Sequence, residues 1–211
     1  MSDILRQVDE DLRKDRLLKI WSSYKIYIVG FILIILISLS GYQYYLSTTK
    51  SKNEAIVEQY IKSINLIDTN ASIEQLVELD ESDNPYIKGL AKLKRAELYF
   101  ITENREQAIE LLESISIDES LNQIMRDLAL YKYLMIQLDT LDKDLYFEIV
   151  DSQDLNASKF KYLFKELKAL KLIIEGDRIN SLKIFESIIL DENSSIDLKT
   201  RAEKFIKISK Q

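Results

Sequence analysis

The 211-residue sequence has no cysteine and no histidine, one proline and four glycines. Without Cys or His there are no disulfides, thiolate nucleophiles, zinc sites of the usual kind or imidazole acid–base catalysis. The lack of Cys leaves the redox compartment open. So few Pro and Gly over such a length argue for long helices and against a turn-rich β fold. No P-loop, GxGxxG, GxSxG or HExxH pattern occurs. The acidic pairs Asp118-Glu119 and Asp191-Glu192 and the run 151–154 follow helix ends with no His or Gly-rich loop beside them. They read as solvated turns, so neither catalytic residues nor a metal or cofactor site is expected.

Charge is lacking in one place above all. Between Lys25 and Lys50 no charged residue occurs. Residues 26–46 are apolar on every face, and about 20 residues at ~1.5 Å each match a hydrocarbon layer of about 30 Å. Trp21, Tyr24 and Tyr27 precede this core and Tyr42, Tyr44 and Tyr45 close it, at the headgroup level that such rings prefer. The expectation is a transmembrane helix over 26–46. Arg6, Arg13, Lys14, Arg16, Lys19 and Lys25 lie before it and only Lys50 and Lys52 close behind. That bias keeps the N-terminus cytoplasmic. The long charged lead and the absence of an A-x-A site favour an uncleaved anchor. Residues 1–25, with Ile4, Leu5, Val8 and Leu12 at helical spacing, read as a cytoplasmic amphipathic segment.

Lys and Arg number 29 against 35 Asp and Glu, a net charge of −6. The first 46 residues hold six basic and five acidic groups, so the rest carries 23 against 30, a net of −7. Such a domain is a poor nucleic-acid binder.

After a polar linker at 47–53, residues 54–211 read as a helical array. Ile56, Tyr60 and Ile64 open it at spacings of four, and Pro85 suits the first turn of a later helix. The clearest pattern lies between Pro85 and Ile117. Ala96, Tyr99, Ala108 and Leu112 match a tetratricopeptide repeat (TPR), in which small residues let two antiparallel helices cross closely. The frame returns 73 residues later with Ala169, Leu172, Gly176, Ser181, Phe185 and Ile188. The fold expected is all-α: one N-terminal transmembrane helix, then a TPR-like α-solenoid of antiparallel helix pairs.

Stacked pairs make a concave face. In this frame it takes Leu93, Glu97, Phe100 and Ile101 from the first repeat and Glu166, Leu170, Ile173 and Ile174 from the later one. Such a face suits an amphipathic or unfolded segment; the same stripe also suits a groove already filled by a neighbouring helix. Asn70-Ala71-Ser72, Asn156-Ala157-Ser158 and Asn193-Ser194-Ser195 match the N-glycosylation pattern and read as helix caps.

A short charged N-terminal helix, a single span and degenerate TPR helices, with the opening VDEDLRKDRLLKIW (Val8 to Trp21), resemble the ancillary SecYEG translocon subunit family of bacterial inner-membrane proteins. The resemblance implies a periplasmic scaffold, anchored in the inner membrane, with proteins as partners: translocon subunits, periplasmic chaperones or exported clients. It brings no catalytic residues, cofactor or small-molecule substrate. An envelope-assembly or cell-division adaptor is an alternative. Another is a tethered signalling regulator acting through Met1 to Lys25.

Overall fold

Six of the described helices begin where a short polar side chain accepts from the first free N–H groups, whereas those that start at Arg105 and Lys161 have no such cap. Asp68 accepts from Asn70, Asn84 from Tyr86 and Ile87, Asn122 from Met125, Asp142 from Asp144 and Leu145, and Asp177 from Asn180. Ser195 Oγ accepts from Leu198. Of the three Asn-X-Ser motifs, that at 193–195 supplies its helix cap through Ser195, that at 70–72 is preceded by the cap Asp68, and Asn156 lies outside the described residues. Pro85 takes the first helical position after Asn84, where its missing N–H costs nothing.

The computed structural model describes residues 2–152 and 158–209, without the side chains of 2–12, 14–20, 22–25, 28, 29, 32 and 209. The described residues form α1 (Ser2–Ile64), α2 (Thr69–Val77), α3 (Pro85–Ile101), α4 (Arg105–Ile117), α5 (Gln123–Ile136), α6 (Lys143–Asp151), α7 (Lys161–Ile174), α8 (Arg178–Leu190) and α9 (Ile196–Ser209), with a 3₁₀ turn at Glu78–Glu81. No strand occurs among them, so the fold is all-α. The polar stretch 47–53 is helical too, and Lys50 and Glu54 pair across one turn of it.

The chain divides into Met1–Ala55 and Ile56–Gln211. The first body is one helix, and the exposed side chains along it include Ile26, Phe31, Ile34, Ile37 and Leu39. No helix among the described residues is long and apolar enough to cross a membrane. Residues 28, 29 and 32 of the expected span, and nearly all of the expected cytoplasmic segment 1–25, lie outside the described side chains.

The second body packs its helices in sequence: α3 on α4, α4 on α5, α7 on α8, α8 on α9. A central apolar core joins residues from Leu93 to Leu167. A smaller one joins Ile56, Tyr60 and Ile64 to α2 and α3, and a third lies under α9. Ala96 and Ala108 are fully buried where α3 meets α4, as are Ala169 and Ser181 where α7 meets α8.

The 73-residue frame runs further than the TPR positions. α4 and α8 start and end 73 residues apart, and so do α5 and α9. The turn after α3 holds Glu103 at φ 61°, and the turn after α7 holds Gly176 at φ 80°. Both close by the same helix-ending bond, Asn104 N–H to Tyr99 O at 2.9 Å and Asp177 N–H to Leu172 O at 2.8 Å. Asp118 and Asp191 end α4 and α8 in like conformations. Two three-helix modules, α3–α4–α5 and α7–α8–α9, therefore repeat. They differ in one outer face: α5 buries Leu130 and Leu134 in the central core, while α9 has Glu203 and Lys207 there, exposed. A polar outer face is how a stacked array is capped.

Candidate partner-binding surface

The eight residues expected on a concave face take different environments. Leu93 is 7 % exposed and belongs to the central core. Glu97 is exposed and pairs with Lys94 at 3.0 Å. Phe100 and Ile101, 50 % and 62 % exposed, end α3 beside the turn. In α7, Leu170 and Ile173 are half-buried against the core under α9, and Ile174 is 50 % exposed. The apolar residues left free to meet a partner are thus Phe100, Ile101 and Ile174, which lie at the C-terminal ends of equivalent helices.

Glu166 is only 5 % exposed. It stands at the position of Leu93 in the repeat, and α9 supplies its counter-ion. Arg201 Nε donates to Glu166 Oε1 at 2.8 Å and the terminal nitrogen to Oε2 at 2.6 Å. This hydrogen-bonded carboxylate raises the Arg201 guanidinium above its ordinary value. A neighbouring helix thus covers the α7 half of the expected face: Ala202, Phe205 and Ile206 of α9 pack with Ala169 and Phe185, and the Phe185 and Phe205 rings stack at 5.3 Å.

Lys171 is a second buried charge. Its Nζ donates to Leu141 O at 2.7 Å, pairs with Glu175 at 2.9 Å and lies 5.7 Å from the Tyr146 ring centre. Burial raises the Tyr146 hydroxyl well above its ordinary value. Arg201 and Lys171 went unmarked in the sequence reading. Their signal was the 73-residue frame itself, which sets Glu166, Lys171 and Arg201 at the places of Leu93, Leu98 and Leu128.

A shallow hollow of about 570 Å³ opens at the α3–α4 turn, lined by Glu103, Arg105, Glu106 and Gln137 among others. Arg105 is engaged there by Ile136 O at 2.5 Å and Asp139 at 3.3 Å. The described side chains bring no paired acid and base together in it. Among the described residues no group of acidic side chains could hold a metal ion.

No known protein family, curated protein or solved structure matches this chain. The described surface holds packed helices, the buried ion pairs of Glu166 and Lys171, and exposed apolar residues at the ends of α3 and α7.

Proposed function

We propose that the chain is a membrane-tethered helical-repeat scaffold that holds proteins near a bilayer. Residues 26–46 form the single span, residues 1–25 stay in the cytoplasm, and the body from residue 54 lies in the periplasm as a TPR-like solenoid of the bacterial inner membrane. The observation that carries the tether is the helix through Ile26, Phe31, Ile34, Ile37 and Leu39, whose large apolar side chains are all exposed. Leaving a run of that length in water forfeits about 1.5–3 kcal/mol per side chain. A hydrocarbon surround removes that cost, and the charge-free interval from Lys25 to Lys50 fits its thickness.

The binding role is supported by the exposed Phe100, Ile101 and Ile174. The opening Val8 to Trp21 and the order of segments favour the protein-export translocon as the setting, with its subunits, periplasmic chaperones or exported chains as partners. Photoreactive residues at Phe100 and Ile174, crosslinked in intact membranes and read by mass spectrometry, test this. Capture of translocon subunits, chaperones or exported chains is the expected result. Capture of cytoplasmic proteins alone would overturn both topology and function.

A further inference from the structure

The two modules repeat one piece of surface as well as their cores. Buried positions recur because packing demands it: Ala96 with Ala169, Ile115 with Ile188, Ala129 with Ala202. Many exposed positions have drifted in chemistry, so that Glu110 is matched by Lys183, Glu106 by Ile179 and Gln123 by Ile196. The last turn of α4 and of α8 has kept its chemistry. Glu113 and Glu186 are the same, Ile117 and Leu190 are both aliphatic, and Glu119 and Glu192 follow in the turn. All six are exposed, Ile117 at 72 % and Leu190 at 80 %. Among the described residues none of these four carboxylates has a salt-bridge partner. Neither core packing nor capping therefore accounts for the retention. At the start of the next helix a further aliphatic residue is exposed on each side, Ile124 in α5 and Ile196 in α9, one position apart in the 73-residue frame.

We propose that each junction, α4–α5 and α8–α9, is a docking patch for a basic amphipathic segment of a partner protein, so that one chain holds two such segments at once. The aliphatic pair supplies area to cover. The flanking carboxylates select Lys and Arg over acidic side chains, and the net −7 of residues 47–211 steers cationic segments to it. Anionic phosphate surfaces, whether lipid or nucleic acid, meet like charge here. Two equivalent patches on one chain raise the avidity for a partner that carries the segment twice. This deepens the scaffold reading and rests on it for the class of partner.

The Cys-free chain allows a direct test. Ser114→Cys and Ser187→Cys, each labelled with an environment-sensitive fluorophore, report the two junctions separately in the full chain held in zwitterionic nanodiscs. The probe is a short synthetic peptide of Leu and Lys at amphipathic helical spacing. Both labels should respond saturably. Ile117→Ser should weaken the response at position 114 by about tenfold or more and spare position 187, and Leu190→Ser should do the reverse. No response, a response both Ser variants leave unchanged, or joint loss at both labels from either single variant would overturn the proposal. So would an equal response to phosphatidylglycerol vesicles. Should a Ser variant lose its helical melting transition, Glu113→Gln with Glu119→Gln, and Glu186→Gln with Glu192→Gln, take its place under the same criteria. Failure here with the Phe100 crosslinks intact removes the patches and leaves the scaffold; loss of those crosslinks removes the scaffold.

Discussion

Glu166 and Arg201 form a two-bond ion pair at the places which, 73 residues earlier, Leu93 and Leu128 hold within one apolar core. The same helix contact is thus made once with aliphatic side chains and once with charge. Removing one partner strands the other. Arg201→Ala should destabilise by about 2–4 kcal/mol, somewhat under the cost of breaking a fully enclosed pair because Arg201 reaches water. Glu166→Leu with Arg201→Leu, which restores the residues of the first module, should melt at or above the temperature of the parent chain. Thermal unfolding of both variants checks this, and a double variant weaker than Arg201→Ala would show that the two sites do not share one geometry.

Left-handed backbone at Glu103, φ 61°, strains a residue that has a Cβ, whereas Gly176 takes φ 80° freely. Glu103→Gly should stabilise by up to about 1 kcal/mol, the relief of strain being partly offset by the greater freedom of Gly in the unfolded chain. Gly176→Ala should cost about 1 kcal/mol, all of it from the backbone, since an added Cβ there meets nothing within 4 Å. Denaturant midpoints of the two variants should move in opposite directions.

Small residues set the helix crossings. Ala108 is fully enclosed between α3 and α4, so Ala108→Leu should cost about 1–3 kcal/mol by forcing the pair apart. At the matching position Ser181 Oγ donates to Ala169 O at 2.9 Å. Ser181→Ala, the residue of the first module, should cost only about 1 kcal/mol, the net worth of that bond. Chemical denaturation ranks the two.

Acid should loosen both modules at corresponding turns. Asp118 is held below its ordinary 3.8 chiefly by the Ser120 hydroxyl, and Asp191 chiefly by the Tyr162 hydroxyl. A carboxyl whose folded value lies below its unfolded one stabilises the fold above the unfolded value and loses that contribution as pH falls through the folded one. The melting temperature should therefore hold down to about pH 5 and drop below about pH 4. Asp118→Asn with Asp191→Asn should flatten the drop, as a melting series across pH would record.

Much of the helical architecture was legible because its signals are local. Pro85 after Asn84 announces the start of α3, and Ala96 with Ala108 announces a close crossing. Gly176 announces a left-handed turn. The repeat was legible at its small residues and missed at its ends, because α5 and α9 share little beyond Ala129 and Ala202 until the helix bounds are superposed. Glu103 hid the equivalence of the two turns by taking a conformation that its residue type disfavours.

The expected concave face was less legible. Leu93, Leu170 and Ile173 show the same spacing whether they meet a partner or another helix of the chain, and periodicity cannot tell the two apart. By itself the sequence determined the all-α class, the charge-free stretch, the lack of Cys and His and the crossings at Ala96 and Ala169, since each follows from residue type and spacing along one chain. Tertiary structure alone decided that α9 covers Glu166, that Arg201 is its counter-ion 35 residues away, and that Ile117 and Leu190 stay exposed. Burial and ion pairing depend on which segments distant in sequence come together, and no local pattern records that.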